Sequence, residues 1–333
     1  MSDAGVDLIA ELDDLAVMGF AEVLPKIPYF RRLERRVHAI LDAERPAAVV
    51  LVDYPGFNMR MARAAHRRGL RVLYYVAPQV WAWRAGRARK LASTADRVAV
   101  ILPFEQAFLA ERGVRATYVG HPLLDRPDDV APRADFFSAW GLDPSRPLLA
   151  LLPGSRRQEL VRHLRPFREI ARRVVEERPD VLPVFSRAPS MSATHFHDVG
   201  FPVVTDTRAL LRYASAALVK SGTSTLETAL EGTPFVIAYR SSPLTMAIAR
   251  RLLGADHVGL PNLIAEERVV PELLQDAVTP DEAAPLLLDL LEDGPARQRQ
   301  IQGLERVRGR LGEPGAAERV AEMVAELVEG RGP

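Results

Sequence analysis

The chain has 333 residues, 48% of them hydrophobic, and 44 Lys and Arg against 43 Asp and Glu leave a net charge of +1. Such a length suits two domains of about 150 residues each, and arginines interleaved with acids along the whole chain exclude the basic footprint of a nucleic-acid-binding protein. Cysteine is absent, which excludes a disulfide framework, a thiolate metal site and a cysteine nucleophile, and no apolar run approaches the roughly 18 residues of a membrane span.

The first residues, Met1-Ser-Asp-Ala-Gly5, lack the charged start and apolar stretch of a secretion signal, so a cytoplasmic protein is expected. Val17, Met18, Phe20, Val23, Leu24, Ile27, Tyr29 and Phe30 then crowd a short segment bordered by Lys26, Arg31, Arg32, Arg35 and Arg36. Apolar side chains flanked by cations make an interfacial membrane anchor, with Val23, Leu24, Ile27 and Phe30 as its contacts. The plainer reading is a helix that buries this face in the core, although Pro25 and Pro28 predict that it is not one straight helix.

From there strands and helices alternate, the pattern of βαβ units and parallel sheets. Strands are predicted at 47–52, 71–76, 97–102 and 116–119, with helical patterns at about 31–44, 58–68, 85–94 and 104–112. Asp53 leaves the first of these strands in Val52-Asp-Tyr-Pro-Gly-Phe-Asn58, where a carboxylate can take a proton from an attacking hydroxyl; on pattern alone, holding the Asp-x-Pro-Gly turn is the commoner role. After the second strand, Trp81, Trp83 and Arg84 lie on a loop at the same edge, suited to a sugar or acyl chain, or to the core. His121, before Pro122, reads as catalytic or as a hinge residue.

The polar, Pro-rich passage from Asp125 to Pro132 reads as a linker, after which the alternation restarts with strands at 148–152, 181–185, 203–204, 216–219 and 234–239. Ligands of such sheets sit outside the carboxyl ends of the strands. There Leu152-Pro-Gly-Ser-Arg156 offers Gly154 for close backbone approach, Ser155, and Arg156 as a bidentate donor to a diphosphate; the alternative is an ordinary turn with solvent-facing arginines. The next such turn is Ser221-Gly222-Thr223, before a helical segment starting near Ser224 and ending at Gly232. Backbone N–H groups at a helix start favour phosphate. Glu227, one turn in, can accept hydrogen bonds from ribose hydroxyls, or else close a capping box on Ser224. Helices at about 281–291, 295–310 and 315–329 end the chain. No His-x-x-x-His or Asp-x-Asp spacing occurs, so no metal and no cofactor are expected. The predicted organisation is a first lobe over 1–124, a linker over 125–135, a nucleotide-sugar lobe over 136–290, and C-terminal helices over 291–333 that return to the first lobe.

Seven blocks, Leu15-Ala-Val-Met-Gly-Phe, Val52-Asp-Tyr-Pro-Gly-Phe-Asn, Ala77-Pro-Gln-Val-Trp-Ala-Trp-Arg, Val119-Gly-His-Pro, Leu152-Pro-Gly-Ser-Arg, Ser221-Gly-Thr-Ser-Thr-Leu-Glu and Leu260-Pro-Asn-Leu, resemble in residues and order the signatures of the lipid A disaccharide synthases. The resemblance implies an α/β fold of two doubly wound Rossmann-like lobes facing a cleft (GT-B) and an inverting, metal-independent glycosyltransferase. Such an enzyme moves 2,3-diacylglucosamine from UDP to 2,3-diacylglucosamine 1-phosphate (lipid X), forming a β-1,6 disaccharide and releasing UDP. By the same resemblance Asp53 matches the base, Arg156, Ser221, Gly222, Thr223 and Glu227 the UDP-holding lobe, and Asn262 an asparagine at the cleft. The implied partners are the UDP-diacylglucosamine donor, the acylated glucosamine phosphate acceptor and the cytoplasmic face of the inner membrane, with a homodimer left open. The family's first strand and its Gly-Glu-x-Ser-Gly-Asp loop have no counterpart here, which predicts a start assigned too late or a shortened, inactive relative. A first lobe lacking that strand is expected to expose a sheet edge and an apolar face. Two alternatives are carried forward: a UDP-sugar 2-epimerase-like enzyme, and a non-catalytic UDP-sugar or glycolipid binder.

Overall fold

Short apolar strands separated by amphipathic helices build two parallel sheets. The computed structural model describes residues 5–10, 20–78, 86–241 and 257–330, and for 20–25 and 86–87 the backbone alone. After the helix α1 (Phe20–Glu44), the first sheet takes β1 (Ala48–Val52), β2 (Arg71–Tyr75), β3 (Arg97–Val100) and β4 (Ala116–Tyr118) side by side in that order. The helices α2 (Pro55–Arg67), α3 (Gly86–Ala92) and α4 (Pro103–Ala110) connect them. Leu73, Val98 and Ala99 are fully buried, whereas β1 is a sheet edge among the described residues, with Val50 and Val52 exposed by 41% and 47%. α1 continues as one helical element through Pro25 and Pro28.

The second lobe opens with α5 (Arg133–Ala139), β5 (Leu148–Leu152), α6 (Arg157–Glu177), β6 (Leu182–Ser186), β7 (Val203–Val204) and α7 (Thr207–Tyr213). It continues through β8 (Ala216–Lys220), α8 (Thr223–Leu230), β9 (Phe235–Tyr239), α9 (Leu260–Ala265), β10 (Glu272–Leu274) and α10 (Pro280–Leu291). Its sheet runs β10-β9-β8-β5-β6-β7, parallel throughout. Alternate residues feed two cores: Leu148, Ala150, Leu152, Ala217 and Val219 enter one, and Leu149, Leu151, Ala216 and Leu218 the other. Burial on both faces is why these strands read as continuous apolar runs.

Two connections tie the lobes together. The helix α11 (Pro295–Leu311) packs on α9 and α8, and then α12 (Ala316–Glu329) crosses to lay Val320, Met323 and Leu327 against Leu73, Ala99 and Val119 of the first sheet. Asp125 in the linker caps α12, its carboxylate accepting from the N–H groups of Gly315, Ala316 and Ala317 at 2.6, 3.2 and 3.0 Å. Partial burial alone would raise the Asp125 pKa, but these bonds and Arg319 lower it. Arg208 and Arg212 of α7 hold the next linker residues, bonding Asp129 and Asp128 while both pair with Glu231.

Candidate functional site

Strand order in the second sheet reverses between β5 and β8: the chain leaves β5 for β6 and β7 on one side and returns to β8, β9 and β10 on the other. Connections diverge at such a switch point, which leaves a crevice at the carboxyl ends of the two strands. Both predicted phosphate turns stand there. Gly154, just after β5, has φ +125°, and a Cβ would lie 2.6 Å from the Glu159 side chain, so only glycine fits. Gly222, after β8, has φ +150° and forms the N-cap of α8 with no side chain capping the helix. The first N–H groups of α8 thus have no N-cap side chain as acceptor among the described residues, an arrangement that suits an anion. Ser221 is buried, while Thr223 and the Ser155-Arg156 pair are exposed.

A carboxylate that the sequence reading passed over organises both turns. Glu159 Oε2 accepts from the Ser155 N–H at 3.0 Å, and its Oε1 accepts from Arg156 Nη1 at 3.1 Å and from Lys220 Nζ at 2.7 Å. Burial pushes the Glu159 carboxyl up, but Lys220, the Ser155 N–H and Arg156 bring it below the ordinary glutamate range. An acid in the first turn of a helix after a glycine turn, and a lysine closing an apolar strand, were the available signals. Beneath them lies His163, buried, whose Nδ1 lies 2.8 Å from the Glu159 carbonyl and whose Nε2 accepts from the Arg240 N–H at 2.9 Å. Burial first, then Lys220 and Arg240, lower its pKa to about 4, keeping it neutral.

Glu227 sits at the fifth residue of α8, because the helix begins at Thr223 rather than Ser224. That position is past the third helical residue a capping box needs. Its Oε1 instead accepts from Arg126 Nη1 of the linker at 2.8 Å. Glu227 lines a cavity of about 950 Å³ bounded by Arg126, Thr205, Arg208, Glu231 and Arg308.

On the first lobe the strained backbone lies at the carboxyl ends of β1 and β2. Asp53 and Tyr54 follow β1 at φ +48° and +44°, and Val76 follows β2 at +57°. Left-handed non-glycine residues cost about 1–3 kcal/mol each and persist where surrounding bonds over-determine them. Here Asn58 Nδ2 donates to the carbonyls of Val52 and Asp53, both at 2.9 Å, and the Tyr74 hydroxyl donates to the Asp53 carbonyl at 2.8 Å. The Asp53 carboxylate is exposed at the strand end while its backbone is fixed. Burial, with the Asp53 charge added, pushes the Tyr74 hydroxyl far above its usual range.

The other predicted residues divide. His121 is buried and its Nδ1 accepts the Leu123 N–H at 3.2 Å, capping the turn that starts the linker. Burial, aided by Arg126, lowers its pKa to about 4, which keeps the ring neutral. Ile27 and Phe30 are half-buried, and the Phe30 ring stacks on Tyr54 at 6.3 Å and meets Phe57 at 6.5 Å. Trp81, Trp83 and Arg84, and the side chains of Val23 and Leu24, lie outside the described residues. No cluster of three metal-ligating side chains occurs among the described residues.

Residues 1–326 match the family model described as lipid-A-disaccharide synthetase. The chain belongs to the lipid-A-disaccharide synthase family. It is 43% identical over 333 residues to the lipid-A-disaccharide synthase of Anaeromyxobacter sp. (strain K), covering 97% of this chain and 86% of that protein. It is 39% identical over 335 residues to that of Geobacter metallireducens, covering 98% and 87%. Among solved structures, a UDP-GlcNAc 2-epimerase from Neisseria meningitidis bound to UDP-GlcNAc matches with a TM-score of 0.67 at 11% identity, over 98% of this chain and 87% of that one. The calicheamicin glycosyltransferase matches with a TM-score of 0.60 at 17% identity, over 100% and 88%. These likenesses carry the GT-B fold alone.

As a lipid-A-disaccharide synthase family member the chain is a glycosyltransferase, and its signature blocks at Asp53, Ala77, Val119, Pro153 and Ser221 all lie at the ends of sheet strands. The Leu-Pro-Asn block differs. Asn262 is fully buried, its Nδ2 donating to the Val270 carbonyl at 2.8 Å and Glu272 Oε1 at 2.7 Å, its Oδ1 accepting from the N–H groups of Val269 and Val270 at 2.9 and 2.8 Å. These four hydrogen bonds use the donors and acceptor of the Asn262 amide within the lobe, a scaffold role for the side chain.

Proposed function

We propose that the chain transfers 2,3-diacylglucosamine from UDP to the 6-hydroxyl of 2,3-diacylglucosamine 1-phosphate, forming a β-1,6 disaccharide and releasing UDP. The observation that carries this reading is the pair of glycine turns at the carboxyl ends of β5 and β8, joined through Glu159, with a carboxylate one turn into α8. Two turns that present backbone donors, with Arg156 beside them, suit a diphosphate, and Glu227 suits a ribose.

The acceptor oxygen attacks the anomeric carbon as the bond from that carbon to the β-phosphate oxygen breaks. The hydroxyl proton passes to the Asp53 carboxylate, and the electron pair leaves with UDP, whose charge is met by Arg156 and the α8 N-terminus. The strained, hydrogen-bonded backbone at Asp53 favours a carboxylate held in position rather than one that tumbles in solvent.

The acylated substrates are met at the cytoplasmic face of the inner membrane. Ile27, half-buried in a helix rich in arginine, supports surface contact, whereas the stacking of Phe30 on Tyr54 removes much of that ring from the anchor. No described helix is long and apolar enough to cross a membrane. The test incubates the purified protein with radiolabelled UDP-2,3-diacylglucosamine, with and without lipid X, and resolves products chromatographically. The synthase reading requires disaccharide and stoichiometric UDP only when acceptor is present. Isomerised UDP-sugar without acceptor would favour an epimerase, and binding with no turnover would favour a non-catalytic relative.

A further inference from the structure

Lys220 ends β8 at the switch point, with its side chain 14% exposed and its Nζ 2.7 Å from Glu159 Oε1. The same ammonium lies 3.5 Å from where a Cβ of Gly222 would stand, directly under the turn that begins α8, and 5.8 Å from the centroid of the Tyr239 ring. Arg156 shares Glu159 Oε1, and the Ser155 N–H takes Oε2. Two cations and a backbone donor from two different turns thus converge on one anionic group, which the chain itself supplies. A carboxylate with 13% of its side chain exposed satisfies those donors only in part, because an ammonium has three N–H bonds and Lys220 has one hydrogen-bond acceptor among the described residues.

We propose that Lys220 is a second cation of the diphosphate site, oriented toward the Gly222 turn by Glu159 and donating to a phosphate oxygen of the bound nucleotide. The inference rests on the reading of these turns as a nucleotide diphosphate site. Glu159 fixes the lysine's direction. Arg156, 51% exposed, reaches the diphosphate from the outer side, and Lys220 reaches it from beneath. A cation already desolvated and aimed loses little freedom on binding, the usual source of tight anion recognition. The two side-chain cations, Arg156 and Lys220, offset the negative charge that develops on the departing diphosphate.

The test compares uridine, UMP and UDP as ligands of the wild-type chain, Lys220→Met, Lys220→Arg and the double variant Lys220→Met/Glu159→Gln, by calorimetric titration or displacement, beside thermal melts. Lys220→Met should weaken UDP by roughly tenfold to a hundredfold and leave uridine unchanged. Lys220→Arg should recover part of the loss. A lysine that serves only to neutralise Glu159 predicts otherwise: the double variant, with no unpaired buried charge, should regain both melting temperature and UDP affinity. Recovery of UDP affinity in the double variant, or an unaltered UDP affinity in Lys220→Met, overturns the proposal. Persistent weakness of the stable double variant toward UDP but not uridine supports it. A wild-type chain that fails to bind UDP sinks the nucleotide-site reading and this inference together, whereas tight wild-type binding with an unaffected Lys220→Met sinks this inference alone.

Discussion

Arg126 of the linker donates from Nη1 to Oε1 of Glu227 at 2.8 Å, so the carboxylate proposed for the ribose is already engaged by the segment that joins the lobes. The pair is half open to solvent, with side-chain exposures of 50% and 26%. Such exposed pairs contribute about 0.2–1 kcal/mol, less than the roughly 1.5–3 kcal/mol of hydrogen bonds to a charged group. A ribose should therefore displace the arginine. Arg126→Ala should tighten UDP by at most about fivefold, and Glu227→Ala should weaken it by roughly tenfold to a hundredfold, both read by calorimetric titration. A weaker UDP complex in Arg126→Ala would show instead that the guanidinium itself touches the nucleotide.

Arg156 offers a contrasting case, because its contribution should be almost wholly to the ligand. Its side chain is half exposed and its partner Glu159 keeps Lys220 and the Ser155 N–H without it. Arg156→Ala should lower UDP affinity by about 1.5–3 kcal/mol while the unliganded melting temperature stays nearly constant. A melting temperature that falls with no change in UDP binding would make Arg156 a structural residue.

Asn262 should behave in the opposite way. Asn262→Leu leaves the N–H and carbonyl of buried Val270 without their partner, whereas the Val269 N–H keeps the Glu267 carbonyl and Glu272 Oε1 keeps the Gly259 N–H. Unmet buried groups of this kind cost about 1–3 kcal/mol each, and relaxation recovers part, so a net loss of about 3 kcal/mol is expected. UDP affinity per folded molecule should be unchanged. Denaturant unfolding beside titration of the folded fraction checks both; a stable variant with poor UDP binding would restore Asn262 to the ligand site.

The contrast between Arg156 and Asn262 marks what could be read from sequence. Strand and helix order was legible because strands buried on both faces are continuous apolar runs, and the turns at Gly154 and Gly222 were legible because small residues punctuate a strand before a helix. Pattern could not say whether a polar side chain faces ligand or backbone, so Asn262 looked like a contact. Nor could it show Glu159 and Lys220 meeting across 61 positions, because β5 and β8 become neighbours only in the folded sheet. Glu227 was ambiguous between ribose and capping box until the helix start, one residue earlier than expected, excluded the box.

Two buried histidines predict acid sensitivity. His121 and His163 have pKa values lowered to about 4, chiefly by burial, against about 6.5 when unfolded. Between those values the unfolded chain binds protons that the folded chain refuses, so their stabilisation is complete above about pH 6.5 and is lost as pH falls toward 4. The shift amounts to about 3 kcal/mol per histidine across that window. Urea unfolding at pH 7 and at pH 4.5 should show the loss, and His163→Gln should reduce the slope in this range. Equal stability at the two pH values would mean that neither histidine is held neutral by the fold.

Asp53 carries the strongest prediction about chemistry. Its backbone lies at φ +48°, a conformation that asparagine adopts at least as readily as aspartate, so Asp53→Asn should keep the turn and its bonds to Asn58 and Tyr74. The amide cannot accept a proton from the attacking hydroxyl. Proton transfer belongs to the attack itself, so its loss should appear in kcat and not in donor affinity, which the proposed reading assigns to the second lobe. A positioned base contributes about 10²–10⁴-fold, and a kcat decrease of that order is expected with UDP affinity unaltered. Steady-state kinetics per folded molecule, against the wild-type rate, make the measurement, with a melting curve to show that the turn survives. Near-normal kcat in Asp53→Asn would end the general-base assignment. His121 would be a poor replacement, because its Nδ1 already accepts the Leu123 N–H and the ring is buried.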